Sequence, residues 1–401
     1  MAAVCKNELL LAKGPCEYMN VRHIVLEGSN REIGRALGDI ARADYGVAGF
    51  LPYASGIYAQ AQRQYVLRNY PIMWERMLGV EDSYGVSAGE LERDVSSLYY
   101  MLGRSACSTV YFPGSCTTNG HGLVARNMDF YTVSFPEFAG LGQVEGSPRM
   151  FSDNYVLELY PDEGYPSLVL GSLDLFNGVM DGVNSRGLTV SYLADPTLEE
   201  AALKDLTRPV GLSATQTLRL LLDTCATLEE AKIALLTNKL FMPIEGCHFL
   251  VADAQGNSTV AELSEKDFSM NFTDGGGKPQ VMTNHSVFEY PDVATFPEYP
   301  AGARYNTFAR YRVLDRYVAG HGGLFSPEDA EHCLELVYAN TEDSSEGAAH
   351  DFPVRTLWLS VTDTRDLTIR VKFYRHDGES DPATGIPALE FTEHFKFALR
   401  S

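Results

Sequence analysis

Pro113-Gly114-Ser115-Cys116-Thr117-Thr118-Asn119-Gly120-His121-Gly122-Leu123-Val124-Ala125-Arg126-Asn127-Met128-Asp129 is the stretch on which the reading of this chain turns. Asn119-Gly120 is a strong hairpin signal, because both residues tolerate positive φ. Cys116 then falls on one arm, with Arg126 and Asp129 on or just past the other. Three apart on a regular strand, Arg126 and Asp129 face opposite sides. One site using both requires the strand to end or bulge near Asn127-Met128. A thiol nucleophile needs a base, a lowered pKa, or both. His121 is one candidate base, five residues on and in the turn. A second solution is to cut the peptide bond after Ser115, which frees the α-amino group of Cys116 beside its own sulfur. An α-amine titrates at about 7.7–8.0 and a thiol near about 8.5, so proton transfer between them is nearly isoenergetic at neutral pH. Asp129 would hold or orient the amine, and Arg126 would favour the thiolate by charge. The same residues also fit a buried hairpin with a core cysteine and a solvated Arg/Asp pair, and the hairpin alone does not separate the two.

Around this stretch the pattern is mixed. Residues 1 to about 105 read as a helical preface. After Gly28-Ser29-Asn30, Ile33, Leu37 and Ile40 recur at helical spacing. A second helix is expected from the capping box Ser87–Glu90 through Leu91, Val95, Leu98 and Met101. From about Thr109 to Leu193 short apolar runs alternate with Gly, Pro, Asn and Asp, the signature of strands and turns. Helices follow over Ser213–Cys225 and from Thr227, then strands at Cys247–Ala252, Ser258–Leu263 and Gln280–Thr283. Further helices begin near Arg304 and at Ser326-Pro327, and the chain ends in strands over Arg355–Thr362 and Leu367–Tyr374. Surface loops are expected at 274–278, 341–347 and 377–387. Gly275-Gly276-Gly277-Lys278 lacks the spacing and following Ser/Thr of a phosphate-binding loop, so it reads as a turn. Strands, a helix pair, strands, helices and final strands make a layered α+β domain.

The bulk composition narrows the function. An apolar fraction of 45% and a charged fraction of 21% belong to a globular chain with a sizeable core. The formal charge of −21 repels phosphate backbones, which argues against nucleic acid as a partner. No apolar run reaches the roughly 18 residues of a membrane span, and the first residues lack a secretory pattern. Seven scattered cysteines without C-x-x-C or Cys/His spacing point to reduced thiols in a cytoplasmic setting and to no metal site.

Cys116-Thr117, a short hairpin and Ala125-Arg126-Asn127-Met128-Asp129 resemble the opening of mature choloylglycine hydrolases, that is, bile-salt hydrolases and penicillin V acylases. Further similar motifs come in the same order: Gly182-Val183-Asn184-Ser185-Arg186-Gly187-Leu188, the His-containing strand Cys247–Asp253, Val281-Met282-Thr283-Asn284-His285, and Tyr305–Tyr311. Residues 26–38 are similar to the pro-segment of isopenicillin N acyltransferase relatives, which cleave themselves at an internal Cys-Thr. The resemblance spans roughly Cys116 to Tyr374. It implies a four-layer αββα sandwich of the N-terminal-nucleophile type behind a helical pro-segment, divided into 1–115 and 116–401 by autoproteolysis at Ser115–Cys116. It also implies that Cys116 is nucleophile and, through its amine, base; that Arg126 and Asp129 tune that pair; that Asn284 donates to the oxyanion; and that Arg310 supports the site. The substrate would be a linear N-acyl amide, attacked through a thioester without any cofactor. An amine or acyl-CoA co-substrate and the chain's own cleaved N-terminal fragment are the expected partners.

Two departures stand out. A second Asn that bile-salt hydrolases carry after their Gly-Leu falls near Ala194, beside Asp195, so a backbone N–H near Asn177 is expected to complete the oxyanion hole. The Cys-to-Arg interval is shorter than in bile-salt hydrolases. Among the remaining residues, His285 and Asn184 are candidates to support the site or touch substrate. His248 reads as a satisfied core histidine, and Cys107 is assigned no chemistry. An uncleaved, non-catalytic binder of the same fold is the alternative, against which the combination Cys116, Arg126, Asp129, Asn284 and Arg310 argues.

Overall fold

The computed structural model describes residues 3–87, 92–101, 106–138, 140–196, 198, 202–203, 205–243, 246–264, 266–298, 306–343 and 352–400. The chain opens with β1 (Ala3–Leu11), β2 (Asn20–Gly28), α1 (Asn30–Asp44), α2 (Gly56–Asn69) and α3 (Pro71–Tyr84). Then come β3 (Ala106–Phe112), β4 (Leu123–Tyr131), α4 (Phe135–Phe138), β5 (Asp153–Pro161), β6 (Ser167–Ser172), β7 (Val179–Asn184) and β8 (Thr189–Ala194). The middle holds β9 (Ala202–Leu203), β10 (Leu212–Ser213), α5 (Ala214–Thr224), α6 (Leu228–Thr237), β11 (Leu240–Pro243), β12 (Cys247–Ala252), β13 (Ser258–Leu263), β14 (Met270–Asp274) and β15 (Gln280–Met282). It closes with α7 (Thr307–Gly320), α8 (Pro327–Glu335), β16 (Asn340–Asp343), β17 (Phe352–Asp363), β18 (Thr368–Ser380), β19 (Pro387–Phe391) and β20 (Phe395–Ala398).

Two large sheets lie face to face. Among the described residues the first has nine strands in the order β1-β2-β5-β6-β7-β8-β12-β13-β14. The second runs β15-β3-β4-β17-β18-β19, with β16 and β20 pairing to β17 and β18. Tyr111, Met128, Trp358 and Phe373 from the second sheet share one core with Leu170, Val190 and Phe249 from the first. Strands β6, β7, β8 and β12 are buried along their whole length, and β7 carries Asp181 and Asn184 among its apolar residues. α5 covers β7 and β8 on one outer face; α7 and α8 cover β3 and β15 or β4 and β17 on the other. The result is the expected α+β sandwich of four layers, αββα. Among the described residues no helix is long and apolar enough to cross a membrane.

The preface differs from expectation. α1 forms as read, with a Ser29–Glu32 capping box and Ile33, Leu37 and Ile40 buried. Two strands precede it, however, and β2 pairs in parallel with β5 from Asn20↔Asp153 to Gly28↔Pro161. The preface is therefore part of the sheet rather than a helical cover over it. The helix expected from the Ser87–Glu90 box is also absent where it can be judged. Residues 88–91 lie outside the described residues, and 92–101 form a non-helical strap with a turn at 95–96. Its backbone is committed elsewhere: Glu92 O accepts from Tyr53 N, Asp94 N donates to Leu51 O, and Leu98 N donates to the Asp174 carboxylate. Tertiary partners here outweigh a local capping signal.

Candidate active site

β3 and β4 are antiparallel and in register from Ala106↔Asp129 to Phe112↔Leu123. Arg126 and Asp129 therefore face the beginning of β3. Cys116 lies past its far end, and the five residue steps from Cys107 to Phe112 alone span about 17 Å at about 3.3 Å per residue. Nor is Cys116 on a strand arm, as expected. Gly114–Cys116 form a 3₁₀ turn in a connection longer than the Asn119-Gly120 signal implied. Its thiol donates to the Pro113 carbonyl (3.1 Å), its own carbonyl accepts from Phe325 N (2.8 Å), and burial pushes its pKa up. His121 pairs with Asp363 at 3.0 Å rather than serving Cys116.

The residues expected around Cys116 assemble around Cys107. Arg126 Nη2 stands 2.9 Å from Cys107 Sγ, while its Nη1 is 2.5 Å from Asp181 on β7. Asn284 Oδ1 accepts the Cys107 N–H at 2.9 Å. Arg310 on α7 reaches in from the outer layer; its Nη1 donates to the Cys107 carbonyl (2.6 Å) and Ser108 Oγ (2.7 Å), and its Nη2 to Asn284 Oδ1 (2.8 Å). Asp129 is the register partner of Ala106 and accepts from Thr356 Oγ1 at 2.5 Å. Cys107, Arg126 and Asp129 are wholly buried.

The two faces of β4 explain how residues three apart serve one place. Arg126 points between the sheets toward Asp181 and Met128, whereas Asn127 bonds the Leu334 carbonyl of α8 on the helix side. Opposite faces meet at the beginning of β3, so β4 needs neither end nor bulge at Asn127-Met128. The irregularity falls instead in β17, between Thr356 and Trp358.

Charge around the thiol is arranged in opposition. Burial pushes the Cys107 thiol up to about 11, against the pull of the Arg126 charge and hydrogen bond. Burial also opposes the Arg126 charge, but Asp181 and the Cys107 sulfur more than offset it and hold Arg126 protonated. Ser191 Oγ fixes the second oxygen of Asp181 at 2.8 Å. Asn284 Nδ2 donates to the Ala194 carbonyl at 2.6 Å, so in this state both ends of its amide are engaged.

Three sequence candidates serve elsewhere. Asn177 donates to the Ser96 carbonyl and tethers the strap. Asn184 braces a turn, donating to Leu222 and Cys225 carbonyls and accepting from Arg186 and Leu188 N–H. His285 stacks on Phe308 with centroids 4.0 Å apart and bonds Thr307. It is neutral, its pKa pushed down to about 3 by burial and then by the charges of His248 and Arg310. His248 is hydrogen-bonded in the core, as read, to Glu262 at 2.9 Å. The reading missed Cys107, Ser108 and Asp181. A signal against Cys116 was present: antiparallel partners lie equidistant from their turn, so a hairpin about Asn119-Gly120 sets Arg126 and Asp129 opposite residues near 110–113 and never opposite Cys116.

Residues 116–311 match the model of the family described as acyl-coenzyme A:6-aminopenicillanic acid acyl-transferase, a span just under half the chain. The match begins at Cys116 and contains Arg126, Asp129, Asn284 and Arg310. No curated protein matches the chain. Among solved structures, a mutant of the conjugated bile acid hydrolase from Clostridium perfringens is 17% identical, covering 73% of this chain and 97% of that one, with a TM-score of 0.48. Penicillin V acylase from Agrobacterium tumefaciens is 19% identical, covering 72% and 86%, with a TM-score of 0.43.

Proposed function

We propose that this chain is a cysteine amide hydrolase or N-acyltransferase that activates itself by cutting the Ala106–Cys107 peptide bond. Cys107 takes the role first read for Cys116, and the fragments become 1–106 and 107–401 in place of 1–115 and 116–401. One observation carries the reading: Arg126, Asn284 and Arg310 contact the sulfur, amide nitrogen and carbonyl of Cys107, and Asp129 faces the residue before it. The family match over residues 116–311 supports an acyl-transfer or amide-cleaving chemistry, and its name pairs an acyl donor with an amine acceptor.

In the uncut chain the Cys107 sulfur attacks the Ala106 carbonyl carbon. The C–N bond breaks, the nitrogen takes the thiol proton, and the acyl group sits on sulfur as a thioester. Water then cleaves the thioester, leaving a carboxylate on Ala106 and a free amine on Cys107. In the cut enzyme that amine removes the thiol proton, and the Arg126 charge favours the thiolate. The thiolate attacks the carbonyl of a linear N-acyl amide. Asn284 Nδ2, which already donates to the Ala194 carbonyl oxygen, would donate to a substrate oxyanion that displaced it. The Cys107 ammonium returns its proton to the leaving amine, and the thioester passes to water or to a second amine. An acyl-CoA entering as donor forms the same thioester.

The intact masses of the purified protein under denaturing, reducing conditions test this. Polypeptides 1–106 and 107–401 are expected. Masses for 1–115 and 116–401 would restore Cys116, and a single uncut chain that nevertheless turns over an N-acyl amide would refute self-cleavage as its activation.

A further inference from the structure

Asn284 stands two residues beyond the end of β15, so no ladder hydrogen bonds fix its position. Its side chain is held by Cys107, Arg310 and Ala194, and a cluster of ionisable side chains holds the segment that follows it. Glu262, on β13 of the facing sheet, accepts the Val287 N–H with one oxygen (2.9 Å) and the Phe288 N–H with the other (2.8 Å). Its register partner on β12 is His248, whose Nδ1 lies 2.9 Å from Glu262 and 3.7 Å from Asp195. Asp195 directly follows Ala194, whose carbonyl receives the Asn284 amide. The cluster thus grips the backbone on both sides of Asn284: the segment that carries it, and the acceptor it points at. Asp195 and His248 are 0% exposed and Glu262 2%.

We infer that Asp195, His248 and Glu262 form a positioning relay that sets the Asn284 amide at the reacting centre, an inference that rests on the reading of Cys107 given above. Two carboxylates buried together repel each other unless a cation lies between them. His248 supplies it. Burial pulls its pKa down, but the Glu262 hydrogen bond and the Asp195 and Glu262 charges outweigh this and leave it raised. The other groups that face the cluster are His285, which stays neutral, and Arg310 and Tyr311 of α7; the Tyr311 hydroxyl stays protonated, its pKa pushed up to about 12 by burial first and then by the Asp315 and Glu262 charges. A raised folded-state pKa means that the relay is intact at lower pH and is lost as pH rises through that value. Above it the charge that draws Glu262 toward His248 is gone, and the Val287–Phe288 segment is expected to loosen.

Glu262→Gln and His248→Gln keep the shape of the cluster and remove its charge. With an N-acyl 4-nitroanilide probe, the expected loss in kcat is on the order of 10- to 100-fold, less than the ~10²–10³ lost with an oxyanion donor itself. KM is expected to hold, and the alkaline limb of the wild-type kcat–pH profile to shift or vanish in His248→Gln. A second measurement does not depend on turnover. In the uncut Cys107→Ala protein, imidazole NMR should show His248 titrating above the ordinary ~6.5, and amide exchange at Val287 and Phe288 should quicken in Glu262→Gln. Unchanged kcat, pH profile and exchange in Glu262→Gln would overturn the relay. A cut wild-type protein inactive on amides would sink the enzyme reading instead, leaving the exchange data to decide the relay.

Discussion

Replacing Asp223 by alanine strands two buried guanidinium groups. Arg76 Nη1 and Nη2 lie 2.7 and 3.1 Å from the Asp223 carboxylate, Arg219 Nη2 lies 3.2 Å away, and the Tyr70 hydroxyl donates to it. All four side chains are 0–2% exposed. Removing one partner of such a buried set costs about 3–5 kcal/mol, because the remaining charges keep their desolvation penalty without compensation. Arg76 and Tyr70 precede the Ala106–Cys107 bond and Asp223 and Arg219 follow it, so if the chain is cut there as proposed, the loss falls on fragment association. At about 1.4 kcal/mol per tenfold, Asp223→Ala weakens that association by on the order of 10²- to several thousandfold. A dilution series on gel filtration reads this directly, with 1–106 leaving 107–401 at correspondingly higher concentration than in wild type. Burial raises the Asp223 pKa, but Arg219 and Arg76 reverse this and hold it below the usual carboxylate value. Its contribution is therefore complete above the unfolded pKa of about 3.9 and is lost only as pH falls through the lower folded value, so the mutant effect should be flat from about pH 5 to 8. A change of less than about fivefold would refute the reasoning. The triple change Arg76→Met, Arg219→Met, Asp223→Leu should recover much of the loss.

Cys107→Ala should abolish both cleavage and turnover, whereas Cys116→Ser should leave both within about twofold, since its thiol contacts only the Pro113 carbonyl among the described hydrogen bonds; intact mass and an amide-cleavage assay read the two. Because the Cys107 thiol is pushed up to about 11, its thiolate fraction, and with it the self-cleavage rate of freshly translated precursor, should rise about tenfold per pH unit from 7 to 9; a flat profile would contradict attack by a thiolate. Gly34→Ala should destabilise the protein, because its Cβ would sit 1.9 Å from the Arg76 carbonyl oxygen where α1 crosses α3. Overpacking of about 1–3 kcal/mol or more exceeds the ~1 kcal/mol of helix propensity gained, while Gly14→Ala, with nothing within 4 Å, should change the melting temperature little.

Much of the layered fold was legible because its strands are bounded by turn residues and its helices by capping signals. β12 and β13 fall where their apolar runs end, and Ser213, Thr227 and Ser326 cap α5, α6 and α8. The Ser87–Glu90 box failed for the opposite reason: Leu98 and Asp94 are claimed by partners from Asp174 and Leu51, which no local pattern records. Arg126, Asp129, Asn284 and Arg310 were singled out from their motifs, and the structure brings them to one place. Cys116, singled out for its Cys-Thr pair, lies away from these four, which gather at Cys107 instead. Register, which distinguishes the two, is a property of the hairpin as a whole and depends on a connection whose length the Asn119-Gly120 signal understated. Asp181 was invisible for a plainer reason, since its meeting with Arg126 crosses from one sheet to the other.

If the chain is cut as proposed, the parallel pairing of β2 with β5 has a consequence for the order of events. Before the cut, both strands belong to one polymer, and finding each other is a unimolecular search whose success does not depend on dilution. After it, the same search between unfolded fragments is second order in protein, and β5 without its neighbour offers an open edge to other chains. The proposed cleavage would thus work as a ratchet. A chain that unfolds after maturation is expected to return slowly at low concentration, and to aggregate when crowded with its own kind.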